Sequence, residues 1–138
     1  MHKVVLDTVV LVRALINPRS GRGRIVFAHH GRYRLFVSEP VVREMLEVLH
    51  RPELTAKFRS LEGLDLRRVL DLLGQAEAVE VVHAPAVSRD PNDDKFLATA
   101  IAASADYLVN EDADLLVLGQ HEQVKILSAA SFLRLLDE

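Results

Sequence analysis

The sequence predicts an α/β fold built on a central parallel sheet. Three observations carry that prediction. Short β-branched runs alternate with longer stretches of helical period, mostly in the order β–α–β–α. The first of those runs is apolar at consecutive positions, as in a strand buried on both faces. The chain has 138 residues, 49% of them hydrophobic, which is enough for one packed domain spanning residues 1–138.

Lys3–Asp7 (KVVLD) reads as that buried first strand. Val9–Ile16 follows as a short helix, stopped by Asn17-Pro18. Ser20 to His30 has helical character and ends at Gly31. Arg34–Val37 is a second strand. Ser38 stands where an N-cap belongs for a helix Glu39–His50, with Pro40 in its first turn and Arg51-Pro52 breaking it. Helical stretches follow over Glu53–Ser60 and Asp65–Gln75, and Val79–His83 reads as a third strand. Ala84–Asp93 carries two prolines and reads as a loop, from which an alanine-rich helix runs from about Pro91 to Ala105. Tyr107–Val109 is a fourth strand, and Asp112–Leu118 a short helix closed by Gly119. Val124–Leu127 is a fifth strand, and Ser128 caps a last helix to about Leu136.

Composition narrows the function classes. With no cysteine there is no disulfide framework and no thiolate metal site. The apolar run after Met1-His2-Lys3 is far shorter than the roughly 7–15 residues of a signal-peptide core. No window approaches the roughly 18 apolar residues of a membrane span. A cytoplasmic protein with no membrane partner is the expectation. The net charge of −3 is unevenly spread. Residues 1–34 hold seven Lys/Arg against one acid, giving +6, and the remainder holds ten against nineteen, giving −9. Such asymmetry fits nucleic-acid binding, and equally a solvated arginine-rich surface. Arg13, Arg19, Arg22 and Arg24 are the candidate nucleic-acid contacts.

The candidate chemistry lies in carboxylates. Asp7 ends the first strand, where open α/β sheets bind ligands, and a buried carboxylate there needs a partner. It also reads as an N-cap. Glu44 borders the apolar stripe Val41, Met45, Leu49, and taken alone reads first as a solvated glutamate in a helical ion pair. Asp94 shares a helix face with Leu97, Ala98 and Ile101, with Asp90 and Asp93 as rivals. It is also a first-turn charge that the helix dipole favours. Asp112 and Asp114 follow the fourth strand, which in a doubly wound sheet neighbours the first, bringing Asp112 close to Asp7. Capping of the next helix is the alternative for Asp112. Oxygen-only ligands at such places suit Mg²⁺ or Mn²⁺. No histidine cluster has zinc spacing, and no G-x-S-x-G, GxxxxGK[ST] or GxGxxG string is present.

The ordered motifs resemble the PIN-domain ribonucleases, in particular the small prokaryotic branch described as toxins of toxin–antitoxin pairs. They are Val4-Val-Leu-Asp-Thr-Val-Val-Leu-Val12, Ser38-Glu-Pro-Val-Val-Arg-Glu44, Arg89-Asp-Pro-Asn-Asp-Asp-Lys-Phe-Leu-Ala98, Tyr107-Leu-Val-Asn-Glu-Asp-Ala-Asp-Leu115 and Ile126-Leu-Ser-Ala-Ala-Ser-Phe-Leu133. The resemblance implies a three-layer α/β/α domain with a five-stranded parallel sheet of order 3-2-1-4-5. It implies Mg²⁺- or Mn²⁺-dependent endoribonuclease activity, with Asp7, Glu44, Asp94 and Asp112 as the catalytic and metal-holding acids and Asp114 as an auxiliary. Thr8 matches a small hydroxyl residue beside the first acid. Asn110 stands in a stretch where the family often has Thr or Ser, and Val9 where it usually has Asn. The implied partners are RNA, an antitoxin protein, and a second copy in a homodimer or higher homo-oligomer. The Val9 departure motivates an alternative, a degenerate domain that binds RNA or a protein without cutting. A phosphate-handling domain of the response-regulator or haloacid-dehalogenase type is disfavoured, because no second acid follows Asp7 two residues on.

Overall fold

The computed structural model describes residues 1–52, 64–81 and 91–137. The expected helical stretch over 53–60 and the expected loop over 84–90 lie outside those residues.

The first strand, β1 (His2–Leu6), leads into helix α1 (Thr8–Ile16). Val4, Val5 and Leu6 are all 2% exposed or less. Successive strand residues point to opposite faces, so the sheet is covered on both sides, as the apolar run requires. The chain then passes through a compact helical segment to β2 (Tyr33–Val37), α2 (Glu39–Leu49), α3 (Leu64–Gln75) and β3 (Glu77–Ala78). It continues through α4 (Pro91–Ala102), β4 (Tyr107–Val109), α5 (Ala113–Leu118), β5 (Gln120–His121), β6 (Val124–Leu127) and α6 (Ala129–Asp137). The sheet order is β3-β2-β1-β4-β6-β5. Its five parallel strands follow the expected order. The additional β5 pairs antiparallel with β6 across a tight turn at Glu122, whose φ is 54°.

Four local expectations change. The third strand forms at Glu77–Ala78 rather than over Val79–His83, because Phe36 and Val37 of β2 pair with those two residues. Val79 still donates its N–H to the Val37 carbonyl at 2.9 Å, and residues 82–83 are outside the described set. Ser20–His30 is not one α-helix. A single turn at Gly21–Gly23 widens into a π-helical turn at Arg24–Ala28, and a 3₁₀ turn at His30–Arg32 absorbs Gly31. In the wide turn His29 N–H donates to the Arg24 carbonyl at 2.8 Å, and the buried Tyr33 hydroxyl donates to the Ile25 carbonyl at 2.9 Å. The alanine-rich helix stops at Ala102, where Ser104 takes φ 51° and Ala105 N–H returns to the Ala100 carbonyl. Ser38 sits at the N-cap position but makes no side-chain cap, because its hydroxyl is spent on Thr99 Oγ1 at 2.7 Å. Ser128 caps α6 as expected, its Oγ accepting from Ser131 N–H at 3.2 Å.

Strand order reverses between β1 and β4, whose last residues, Leu6 and Val109, are paired. Among the described residues no helix is long and apolar enough to cross a membrane.

Candidate active site

Asp7 is the residue where β1 becomes α1. Its N–H donates to the Val109 carbonyl at 3.0 Å, which extends the sheet one step and fixes the backbone beside β4. Its side chain is the N-cap of α1, with Oδ1 accepting from Val10 N–H at 2.8 Å. Oδ2 accepts from Glu111 N–H at 3.1 Å, across the strand switch. The capping alternative is therefore observed, and it does not exhaust the carboxylate. Asp7 is 8% exposed. Burial pushes its carboxyl up from 3.8 to about 6, against the two backbone donors that pull it down, and the carboxylates of Glu111 and Glu44 add to the rise.

Glu44 projects from α2 toward the same place. Its Oε2 accepts from the Thr8 hydroxyl at 2.5 Å, and its Oε1 lies 3.1 Å from Lys95 Nζ on α4. Glu44 is thus an ion-paired residue, with a partner on another helix rather than in its own. The surface pairing expected of it falls to Arg43 with Glu39 inside α2, and to Glu47 with Arg51 just past its end.

The β4 tip reaches Asp7 through the Glu111 N–H. Asn110 is 1% exposed, and its Oδ1 accepts from Asp112 N–H at 2.9 Å. Among the described residues its buried Nδ2 has no partner. A buried unsatisfied amide donor is costly, and an acceptor arriving at the site would relieve it. Asp112 caps α5, its Oδ1 accepting from Asp114 N–H at 2.7 Å and Leu115 N–H at 3.3 Å. Asp114 is exposed in the first turn of α5. Glu111 is held by Arg22 at 3.1 Å. Asp93 and Asp94 stand in the first turn of α4, and their side chains fall outside the described residues, as Asp90 does entirely.

An open cleft of about 690 Å³ adjoins Asp7, Thr8 and Glu44. Val9, Val12, Ile16 and Val48 give it an apolar floor, and Arg13, Arg22 and Arg51 give it a cationic rim. Val9, 43% exposed, presents methyl groups to this space. The expected basic cluster divides here. Arg13 and Arg22 line the cleft, whereas Arg24 pairs with Asp137 at 2.9 Å and Arg19 lines no part of it. Sequence reasoning missed Arg51 and Lys95. The sequence places Arg51 near Glu44 and at the break after its helix, and the i, i+4 spacing of Glu47 and Arg51 signals only their ion pair; nothing in the sequence marks Lys95 as facing Glu44.

The donor set suits a hard cation in part. Asp7 offers two oxygens engaged by single backbone donors, in a buried place already crowded with negative charge. Both Glu44 oxygens, in contrast, are engaged by side-chain donors. Among the described residues no three acidic or histidine side chains cluster as a metal-holding group.

The PIN domain family matches residues 3–114. An uncharacterized protein of Methanocaldococcus jannaschii is 32% identical over 124 residues, covering 84% of this chain and 74% of its own. Two solved structures share the fold. VapBC2 from Rickettsia felis, bound to a DNA fragment from their promoter, superposes with a TM-score of 0.59 at 14% identity, covering 91% of this chain and 98% of that one. PAE2754 from Pyrobaculum aerophilum gives 0.56 at 15% identity, covering 99% and 90%.

Proposed function

This chain belongs to the PIN-domain family, whose members are generally nucleases, and we propose that it is a divalent-metal-dependent endoribonuclease acting at the β1–β4 switch point. The observation that carries the reading is Asp7, a buried carboxylate at a strand tip with no cation beside it among the contacts described and a carboxyl pushed up to about 6. Asp7, Asp94 and Asp112 hold Mg²⁺ or Mn²⁺ in this reading, with Asp114 as an auxiliary. Glu44 completes the shell or positions water. When bound, the ion supplies positive charge to the phosphodiester and lowers the pKa of water. Arg13, Arg22 and Arg51 contact backbone phosphates along the cleft rim, and the apolar floor accepts a base or sugar face. The Asn110 amide offers a hydrogen-bond donor to a phosphate oxygen.

Purified protein is expected to cleave RNA with Mn²⁺ or Mg²⁺ and to stop with EDTA. An Asp7→Asn variant cleaving at the wild-type rate would overturn the assignment.

A second reading is a domain that binds RNA or a protein without cutting. Val9 favours it, since a cleft-facing valine gives Asp7 no hydrogen bond. Wild-type protein that bound RNA and neither cleaved it nor bound Mn²⁺ would select this reading. We further place the protein in the cytoplasm as a single domain and as the toxin of a pair, which the fold shared with VapBC2 supports. A homodimer is supported by Val117, 87% exposed, and Leu118, 42% exposed, on α5.

A further inference from the structure

The two carboxylates that line the cleft are held in opposite ways. Asp7 receives two backbone N–H donors and has no ammonium or guanidinium beside it among the contacts described. Glu44 receives the Thr8 hydroxyl on one oxygen and the Lys95 ammonium on the other. The Glu44 and Lys95 side chains are 23% and 24% exposed, so water screens their attraction less than at an open surface.

The Lys95–Glu44 pair is built into the packing. Thr99 Oγ1, fully buried, donates to the Lys95 carbonyl at 2.7 Å. That commits its single hydrogen, so the buried Ser38 hydroxyl 2.7 Å away is the donor of the Ser38–Thr99 bond. Ser38 immediately precedes α2 and Lys95 lies in α4. The relay Ser38–Thr99–Lys95 therefore ties the start of one helix to the backbone of the other. It sets Lys95 opposite Glu44 before any ligand arrives.

We infer that Lys95 is a built-in counter-cation for Glu44, which competes with a divalent ion for that carboxylate. This rests on the metal-site reading of Asp7 and Glu44. The ammonium neutralises the charge that a divalent ion would draw on, so a cation that takes Glu44 as a ligand, at about 2.0–2.1 Å for Mg²⁺, does so at the expense of the ion pair. Weakening of the pair leaves the Lys95 ammonium beside the site, ready for a phosphate oxygen. Metal loading and RNA binding are then coupled through one side chain, and the coupling is reciprocal. Lys95 acts through Glu44 and is a positioning residue.

Mn²⁺ binding, measured by the electron paramagnetic resonance signal of free ion, tests this without turnover. Lys95→Met is expected to tighten Mn²⁺ binding about tenfold, because Glu44 no longer has an internal competitor. Lys95→Gln gives the same direction, and Lys95→Arg stays within about twofold of wild type. Arg13→Met removes an equal charge from the rim of the cleft that Glu44 lines, without freeing a carboxylate, and is expected to shift binding by less than about threefold. Unchanged or weaker binding by Lys95→Met overturns the inference, and so does an equal gain in Arg13→Met, which reports only the field of a lost charge. A Lys95→Met protein damaged in its fold would bind more weakly, the opposite sign. The metal-site reading itself is read from wild type and Asp7→Asn. If those two bind Mn²⁺ alike, that reading falls, whereas a deficit confined to Asp7→Asn keeps it whatever Lys95→Met does.

Discussion

Asp7 contributes instability to the fold at neutral pH. Its carboxyl titrates near 6 in the folded protein against about 3.8 when unfolded, so the folded state binds more protons between those values. The Asp7 contribution to stability is most favourable below about pH 4, falls as pH rises through 4 to 6, and levels off above. A gap of about two units corresponds to about 3 kcal/mol at neutral pH. Asp7→Asn removes this ionisation and keeps a good N-cap, but turns an amide toward the Glu111 N–H. The expected net effect is a gain of about 1–2 kcal/mol at pH 7 that mostly disappears near pH 4. Urea titrations at the two pH values check it, and a variant less stable than wild type at pH 7 would contradict it. Such a gain is what the proposed role of Asp7 predicts, since a group kept for chemistry is often held at a cost in stability.

At the scale of elements, the segment between α1 and β2 is a succession of a helical turn, a π-helical turn and a 3₁₀ turn, held by specific contacts. Ser20 Oγ accepts from Gly23 N–H at 3.2 Å, and the turn presses Gly23 against Pro18. A Cβ on Gly23 would lie 2.1 Å from the Pro18 carbonyl oxygen, a backbone atom that cannot rotate away. Gly23→Ala is expected to lose about 2–4 kcal/mol, read as a lowered melting temperature. The Tyr33 hydroxyl serves the Ile25 carbonyl in the π-helical turn. Tyr33→Phe leaves that acceptor unpaired and is expected to lose about 1–2 kcal/mol. Thermal melts of the two variants together show whether this segment is held by backbone fit or by the single buried hydroxyl. At the far wall, Asp112 begins α5 through its own cap, so Asp112→Ala is expected to lose about 1 kcal/mol apart from any effect on metal.

Over the whole molecule, the basic amino-terminal part does not act as one patch. Arg24 and His29 meet Asp137, Arg32 meets the Leu136 carbonyl, and Arg34 meets Glu77, so much of its charge holds α6 and β3 in place. Arg13, Arg22 and Arg51 remain at the cleft. The Arg13 side chain has no ion pair among the described residues, and Arg13→Gln is expected to lower the salt slope of single-stranded RNA binding by about 0.7. Arg24→Gln is expected to leave the slope unchanged and lower stability. Fluorescence anisotropy over a series of salt concentrations separates the two. Equal slope changes would mean that the nucleic acid follows the whole arginine-rich surface instead of the cleft.

Periodicity and punctuation in the sequence determined the alternation of strands and helices, the burial of Val4–Leu6, the caps at Asp7, Asp112 and Ser128, and the placing of acids at strand tips. These are local properties, set by which face of a segment is apolar and where the chain can turn. The order of the five parallel strands was legible from the ordered motifs, and with it the approach of the Asp7 and Asp112 segments. Only the tertiary structure decided which partner each polar group took. The Ser38 hydroxyl meets Thr99 instead of capping α2, Glu44 faces Lys95 instead of its own helix, and Arg51 turns to the cleft while Arg24 turns to Asp137. A hydrogen bond or ion pair depends on positions to within a fraction of an ångström between segments remote in the chain. Phe36 and Val37 likewise settled where the two-residue β3 would pair. Local pattern tells a side chain which way to face, and the packing of distant backbones supplies what it meets there.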